Sequence, residues 1–248
     1  SYNGLPLLAG QGMIDITGKP LASMYFMQIV WGLRKEPFIG VRPLNHAKEA
    51  PTTGAWQFTN AIDSWSWQGY EGEKAVVEVY ANSASVRLLL NGKEIVNKPV
   101  KKYKTLFKLP YQPGTLTAEA LDERGNVISS HSLTTAGEET VLRVTPDKMV
   151  LCANNQALCY LPIEFTDKAG NLKPYMEQRV EVAVAGAATL AGFGSALCKT
   201  NEVFDKPYHH SYRGRCLAVL RAGSTPGKAK VTVTSAGMEP VTIEVEVQ

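Results

Sequence analysis

The chain has 248 residues, of which 20% are charged, and its formal net charge is +3. This length is enough for two domains of ordinary size, each able to bury a core without a disulfide or a metal. The charges are spread without long blocks, which argues against a nucleic-acid-binding protein, because such proteins carry a basic stripe with interleaved aromatic residues. No run of about 18 apolar residues occurs, so no membrane-spanning helix is predicted.

The first region, residues 1–43, contains the one convincing helix, predicted over residues 21–31. Pro20 suits a first helical turn, and Gly32 is typical of a helix end. The helix is apolar on nearly every face, which is the pattern of a helix buried on several sides. Because this short region cannot bury it, we predict that its packing partners lie outside the chain. The start at Ser1, with neither an initiator Met nor a signal peptide, also favours a piece of a longer protein.

The second region, residues 44–136, consists of short β-rich runs separated by turns. Residues 85–90 lead into Asn91 and Gly92, a strong two-residue hairpin signal because both turn positions need positive φ. No helical period interrupts the runs. Strands at this spacing predict a β-sandwich.

The third region, residues 137–248, repeats this pattern. Apolar residues alternate with polar ones along residues 159–166, 180–184 and 241–248. A period of two places one set of side chains inward and the other in water, as in an antiparallel sheet packed on one face. The predicted fold class is therefore all-β: two immunoglobulin-like antiparallel β-sandwiches preceded by one α-helix.

The densest basic run places four lysines close together, at Lys98, Lys101, Lys102 and Lys104. Lysines often protect an exposed strand edge from pairing with other chains, and we favour this interpretation. Contact with an anionic polymer is the alternative.

Residues that could support catalysis or metal binding are scarce. The histidines form no recognisable ligand pair; they are His46, His131, His209 and His210. Ser195 lacks the flanking glycines of a nucleophile elbow, and no two carboxylates are expected to share a cleft. The cysteines fit free thiols, some of them buried, better than a zinc site; they are Cys152, Cys159, Cys198 and Cys216. We therefore predict no catalytic residue, no metal and no cofactor within these residues.

The tryptophans are the strongest candidates for a binding site. Trp56, Trp65 and Trp67 lie close together in the sequence, and the spacing of the last two predicts one face of a strand. Flat indoles can stack on sugar rings, so a carbohydrate subsite is one hypothesis. Packing of the sandwich core or of a domain joint is the alternative, and we favour it because indoles bury a large area.

Residues 8–20 (LAGQGMIDITGKP), followed by Tyr25 and Trp31, resemble the segment that closes the catalytic barrel of glycoside hydrolase family 2 enzymes and leads into the last barrel helix. This motif is the most specific part of the resemblance, because it also explains an apolar helix without partners.

Two further sets of motifs extend the resemblance over essentially the whole chain. Residues 63–67 (DSWSW) and 88–93 (LLLNGK) resemble the sandwich that follows the barrel in many bacterial β-galactosidases. Residues 166–171 (TDKAGN) and 212–216 (YRGRC) resemble the C-terminal bacterial immunoglobulin-like domain of the family. The resemblance implies three parts: the end of the barrel at 1–43, a sandwich at 44–136 and an immunoglobulin-like sandwich at 137–248.

The resemblance implies a parent enzyme that hydrolyses terminal β-galactosides with retention, using two glutamates upstream of Ser1. We therefore expect this chain alone to be inactive, to support the barrel and to help shape the substrate cleft. It also implies a bacterial protein located outside the cytoplasm.

Two other functions stay open from the sequence. One is a carbohydrate-binding module that uses Trp65 and Trp67 to hold an oligosaccharide. The other is a set of immunoglobulin-like repeats from a surface adhesin. The apolar helix favours the glycosidase, and we expect residues 21–33 to present an apolar patch that the barrel, another part of the chain or a second copy covers.

Overall fold

The computed structural model describes residues 12–47 and 56–248. The chain divides into two compact units, which we call the N-terminal unit (within residues 9–136) and the C-terminal unit (137–248 among the described residues). Strands dominate both units, and the predicted all-β class is confirmed. The helix lies in the same unit as the first sandwich, and the three-part division at residues 43 and 136 stays a prediction.

The N-terminal unit contains one helix and seven strands in its described part. They are α1 (Ala22–Val30), β1 (Phe38–Val41), β2 (Lys74–Tyr80), β3 (Ser85–Leu90), β4 (Lys93–Pro99), β5 (Lys104–Pro110), β6 (Thr115–Leu121) and β7 (Val127–Thr134). The strands form two antiparallel sheets with the orders β1-β2-β5 and β4-β3-β6-β7. In these orders β4 and β5 are both edge strands, and the chain crosses from one sheet to the other between them.

The predicted hairpin joins β3 to β4. Asn91 and Gly92 have φ angles of 51° and 78°, and Leu90 pairs with Lys93 across the turn. The strands bury their inward side chains between the two sheets, in a core that includes Ile39, Val77, Val79, Val86, Leu88, Phe107, Leu116 and Ala118.

The helix packs on the outer face of β1 and β2. Ala22 and Ile29 are buried there against Phe38 and Tyr80, with Phe26 partly buried beside them. Strand β2 is therefore covered on both faces, by the sandwich core on one side and by α1 on the other. The prediction that the packing partners of the helix lie outside the chain is wrong for the buried side of α1, because the outer face of the first sandwich supplies them. Beyond its last turn the chain is open to solvent: Trp31 is 56% exposed and Leu33 is 73% exposed.

The C-terminal unit contains nine strands: β8 (Val141–Val144), β9 (Val150–Leu151), β10 (Leu158–Thr166), β11 (Arg179–Gly186), β12 (Ala188–Gly194), β13 (Tyr208–His210), β14 (Arg215–Ala222), β15 (Gly227–Ser235) and β16 (Val241–Val247). They form two sheets with the orders β12-β14-β10-β8 and β13-β11-β15-β16-β9. All pairs are antiparallel except β16 with β9.

The alternation predicted for residues 159–166 matches β10. Cys159, Leu161, Ile163 and Phe165 are buried in the core between the sheets, together with Val180, Val182, Val231 and Val245. All four cysteines are free thiols, of which Cys159 and Cys216 are buried, as expected, and Cys152 is exposed. None of the helices in the described ranges is long and apolar enough to cross a membrane.

Candidate functional site

Trp65 and Trp67 lie in the core of the N-terminal sandwich and have no solvent-exposed surface. The Trp65 indole Nε1 donates to the carbonyl of Gln112 at 2.9 Å, and its ring meets the Tyr111 ring edge-on, with centroids 4.9 Å apart. The Trp67 backbone N–H donates to Tyr111 Oη at 3.0 Å. A sugar ring has no face of these indoles to stack on in the folded chain, so their position agrees with the packing alternative.

Their local geometry also differs from the sequence pattern. Residues 64–67 belong to no strand, so the period of two that places both indoles on one strand face does not apply. Trp56, the third predicted residue, is 58% exposed and free to meet a ligand. Its predicted role in sugar binding stays a prediction.

Two aspartates hold turns with their side chains. Asp122 Oδ1 accepts the backbone N–H groups of Arg124 and Asn126, both at 2.8 Å. Asp167 accepts the N–H of Asn171 and that of Gly137, also at 2.8 Å. Carboxylates that accept backbone N–H bonds in this way shape loops, which agrees with their turn-like sequence contexts.

Glu78 is completely buried and meets four donors from different parts of the N-terminal unit. Its Oε1 accepts from Arg42 Nε at 2.8 Å and from Thr59 Oγ1 at 3.0 Å. Its Oε2 accepts from Tyr80 Oη at 2.8 Å and pairs with Lys104 Nζ at 2.6 Å. Strands β2 and β5, the residue after β1, and Thr59 therefore meet at one carboxylate.

These bonds fix the protonation of the cluster. Burial raises the pKa of Glu78, but the bonds from Lys104, Tyr80 and Arg42 outweigh burial, so the pKa lies below its ordinary value of 4.5. Burial and the neighbouring carboxylate raise the pKa of Tyr80. Glu78 is thus a brace that is ionised at neutral pH and a poor general acid. Sequence reasoning missed it, although a glutamate within the apolar run of β2 was a usable signal.

A groove of about 460 Å³ opens beside this cluster. We call it the basic groove; its lining residues are Phe26, Phe58, Lys101, Lys102, Lys104 and Leu106. It brings one residue of α1 and one of the segment before β2 together with the turn that precedes β5. Three of the four lysines singled out in the sequence therefore line one depression.

In the C-terminal unit, the adjacent histidines of β13 point to opposite sides. His209 is buried and stacks on Phe204, with centroids 5.7 Å apart, whereas His210 is exposed. Glu202 lies 2.8 Å from His210 Nδ1 and 3.3 Å from His209 Nδ1. Ser195 is completely buried. No group of three or more His, Cys, Asp or Glu side chains with metal-binding geometry occurs among the residues described.

Comparison with protein-family models identifies two segments. Residues 142–244 match "Glycoside hydrolase family 2 C-terminal domain 5", and residues 72–129 match a domain of unknown function, DUF4982. The first match covers nearly all of the C-terminal unit, and the second lies within the sandwich of the N-terminal unit.

Individual relatives extend the similarity over nearly the whole chain. The chain is 27% identical over 240 residues to the β-galactosidase BoGH2A of Bacteroides ovatus, covering 96% of this chain and 25% of that protein. It is 26% identical over 243 residues to a putative β-glucuronidase of Formosa agariphila, covering 95% of this chain and 21% of the relative. The chain thus spans about a quarter of the length of these curated relatives.

Solved structures agree with the sequence comparison. A glycosyl hydrolase family 2 member from Bacteroides cellulosilyticus superposes with a TM-score of 0.85 at 26% identity, covering 97% of this chain and 32% of that one. A β-glycosidase from Bacteroides vulgatus, at 22% identity and a TM-score of 0.74, shares the fold. The relatives are bacterial, and the resemblance found in the sequence motifs is confirmed.

Proposed function

Because this chain belongs to the C-terminal region of glycoside hydrolase family 2 enzymes, we propose that it is a non-catalytic accessory region that braces the catalytic barrel of its own enzyme. The observation that carries this proposal is the surface around α1. One side of the helix is buried against β1 and β2, and the residues flanking it leave large apolar side chains in water, namely Ile14, Ile16, Trp31 and Leu33.

Leaving these apolar side chains in water is unfavourable in free energy, which favours a partner that covers them. Burying a large apolar side chain is worth about 1.5–3 kcal/mol, so four exposed groups flanking the two ends of α1 favour a surface that is covered in the complete enzyme. The barrel is the partner that the family resemblance implies. Self-association through residues 21–33 is the alternative cover.

The same proposal assigns the chemistry to the rest of the protein. The described carboxylates cap turns, pair with cations or face solvent, and the buried Glu78 has both oxygens occupied by four donors. Retaining glycosidases need two carboxyl groups about 5–5.5 Å apart in a cleft. We therefore assign hydrolysis to a part of the enzyme outside this chain, with β-galactosides as the substrate class and a location outside the cytoplasm.

The bracing role is tested in the complete parent enzyme. Trp31→Ser and Leu33→Ser together should lower its thermal midpoint and its kcat/KM for an aryl β-galactoside, because the barrel loses its support. The matched control is Ile128→Ser on β7, a side chain 54% exposed in the same unit, which should change neither. Equal stability and activity in the double variant and in the control would refute the bracing role.

Substrate choice needs its own measurement, because one relative is named a β-galactosidase and another a putative β-glucuronidase. We favour the galactoside because the β-galactosidase relative matches at 27% identity over 240 residues. Comparing kcat/KM of the parent enzyme for an aryl β-galactoside and an aryl β-glucuronide decides between them. A higher value for the glucuronide contradicts our assignment.

A second candidate function keeps one observation in its favour. Trp56 is 58% exposed, so its indole offers a face to a sugar ring, whereas Trp65 and Trp67 are enclosed. The family matches favour the accessory region over an adhesin. Replacing Trp56 with Ala and titrating galacto-oligosaccharides tests the subsite: an unchanged affinity removes Trp56 from any binding role.

A further inference from the structure

We propose that the basic groove of the N-terminal unit is a binding site for an anionic saccharide, that is, an oligosaccharide carrying carboxylate or sulfate groups. The site is separate from the predicted tryptophan cluster and goes beyond the bracing role, because it needs no catalytic barrel.

The floor of the groove is suited to a sugar ring. Phe26 and Phe58 meet edge-to-face with their centroids 5.1 Å apart, and the exposed side chain of Leu106 adds apolar surface beside them. Aromatic and aliphatic surfaces of this kind pack against the C–H faces of sugar rings, while polar groups at the rim bind the substituents. A groove of about 460 Å³ that is open to solvent suits a segment of an oligosaccharide.

The charge at the groove is positive and fixed in place. Lys104 Nζ is held against Glu78 and lies 5.6 Å from the ring centroids of both Phe58 and Tyr80. Glu78 is shared with Arg42, so this single carboxylate faces two cations. Lys101 and Lys102 are exposed and take part in none of the ion pairs among the described residues. Their ammonium groups are therefore available to a ligand with negative charge.

The backbone that carries these lysines is unusual. Lys102 and Tyr103 have φ angles of 50° and 63°, and the hydrogen bonds between Lys101 and Lys104 close a two-residue turn around them. Turns with two positive φ angles normally use Asn and Gly, because side chains such as Lys and Tyr are strained there. Strained positions held by their surroundings are concentrated at ligand-binding sites. The turn thus fixes Lys101 and Lys102 at the rim at a conformational cost.

The edge of β5 makes an acidic peptide a poorer fit. A peptide that added a strand to this edge needs its free backbone groups. Lys98 Nζ already donates to the carbonyl of Leu106 at 3.0 Å and so occupies one of these groups. Protection of the edge, the interpretation favoured from the sequence, explains Lys98. It does not explain a strained turn beside an aromatic floor.

The test is a binding titration of the 248-residue chain, followed by calorimetry, with four tetramers as probes: tetragalacturonate, a sulfated carrageenan tetrasaccharide, a neutral galactotetraose and tetraglutamate. The test variant is Lys101→Gln with Lys102→Gln. The matched control is Lys93→Gln with Arg124→Gln, which removes two exposed cationic side chains of the same unit that lie neither in the groove nor on β5. Thermal midpoints of both variants report whether the fold is kept.

We expect at least one acidic tetrasaccharide to bind, and the neutral one to bind about fivefold more weakly or worse. The test variant should lose about fivefold in affinity for the acidic ligand, while the control loses little. Added salt should weaken the binding. If only tetragalacturonate or only the carrageenan tetrasaccharide binds, the result shows whether the groove takes carboxylated or sulfated sugars. Three results overturn the proposal: no acidic tetrasaccharide binds at millimolar concentration, both variants lose affinity equally, or tetraglutamate binds as tightly as the saccharides. None of these results bears on the bracing of the barrel.

Discussion

The two units each bury a charged side chain completely, but they compensate its charge in opposite ways. In the N-terminal unit, the carboxylate of Glu78 is neutralised by two cations and two hydroxyl groups. In the C-terminal unit, the ammonium of Lys173 donates to the carbonyl of Glu138 at 2.7 Å and to Thr140 Oγ1 at 2.8 Å, with no carboxylate in direct contact among the described bonds.

The difference is visible in the pKa values. The pKa of Glu78 is lowered despite burial, so its charged form is favoured in the fold. Burial lowers the pKa of Lys173 as well, and the more distant Asp167 only partly opposes this, so its charged form is disfavoured. Pairing with full charges favours the ionised form of Glu78, whereas direct bonds from dipoles, with carboxylates only at a distance, leave the ionised form of Lys173 disfavoured.

The sequence itself supplies separate probes for testing this contrast. All four tryptophans lie in the N-terminal unit, and all four cysteines lie in the C-terminal unit. Tryptophan fluorescence therefore follows unfolding around Trp65 and Trp67, and thiol labelling follows exposure of Cys159 and Cys216. Burial raises the pKa of Cys159 to about 11, which keeps this thiol unreactive until its unit opens.

The largest effect is expected for Glu78→Gln. The change removes the charge and one of the two acceptor oxygens, and it places an amide NH2 against Arg42 or Lys104. It should lower the free energy of unfolding by about 3 kcal/mol, the low end for a broken buried pair because both cations reach solvent. Urea titration followed by tryptophan fluorescence measures it. Glu94→Gln, in an exposed pair, is the control and should cost less than about 0.5 kcal/mol. Equal losses of unfolding free energy in the two variants would show that Glu78 contributes no more than a carboxylate in an exposed ion pair.

Glu78 also gives the unit a specific acid sensitivity. Since its pKa in the fold lies below 4.5, its contribution to stability is complete above pH 4.5 and is lost as the pH falls below that value. The wild-type unit should therefore lose more stability between about pH 5 and pH 3 than Glu78→Gln does. Parallel pH profiles for the two proteins would contradict the assigned ionisation.

Gly194→Ala should produce the next largest loss, confined to the C-terminal unit. An added Cβ would lie 2.3 Å from the Phe204 ring, which stacks on His209. Because the ring must shift, we expect a loss of about 1–3 kcal/mol and faster labelling of Cys216. The control is Ala236→Ser in the same unit, which should have little effect on stability or labelling. The neighbouring Gly237 has a positive φ, so Gly237→Ala would itself be strained and is not a suitable control. Unchanged thiol protection in Gly194→Ala would show that residues around Phe204 do not close the core.

Lys173→Met tests the charge held by dipoles and should cost less than Glu78→Gln. The stem of Met keeps most of the packing, and the loss of two hydrogen bonds is offset by removal of a buried charge, so we expect about 1 kcal/mol. Thiol labelling during urea unfolding measures it, with exposed Lys168→Met as the control. A loss above that of Glu78→Gln would reverse the contrast between the units.

The smallest expected effect concerns His131. Burial, and then the nearby Arg34, lower its pKa below 6.5, and its Nδ1 accepts the Ile39 N–H at 3.4 Å. The unfolded state therefore binds more protons below pH 6.5, and stability falls as the pH drops through that value. His131→Asn keeps an acceptor and cannot titrate, so its fluorescence midpoint should change less than the wild-type midpoint between about pH 7 and pH 5. A larger change of the midpoint in the variant than in the wild type would exclude His131 as the source of this pH dependence.

Local patterns predicted the regular parts of the fold. The alternation along residues 159–166 became β10, the Asn91-Gly92 pair became a hairpin with positive φ at both positions, and the helix predicted at 21–31 is observed at Ala22–Val30. Each of these depends on interactions between neighbours in the sequence, which a periodic pattern records.

The groups assembled by long-range pairing were beyond such patterns. Glu78 meets Arg42 and Lys104 only because β2 pairs with β1 and β5, and the face of β2 that carries it is covered by residues far away in the sequence. The turn at Lys102 and Tyr103 lacks the Asn-Gly signal that reveals such turns. The Trp65–Trp67 spacing suggested a strand face, but tertiary packing placed both indoles in the core without a strand.

The division of labour between this chain and the rest of its enzyme is tested most directly by hydrolysis. The purified 248-residue chain and the complete parent enzyme are assayed side by side with an aryl β-galactoside at equal molar concentration. We expect turnover by the parent enzyme and none above background by the chain. Turnover by the chain that stays proportional to its concentration through repeated purification would contradict a non-catalytic role.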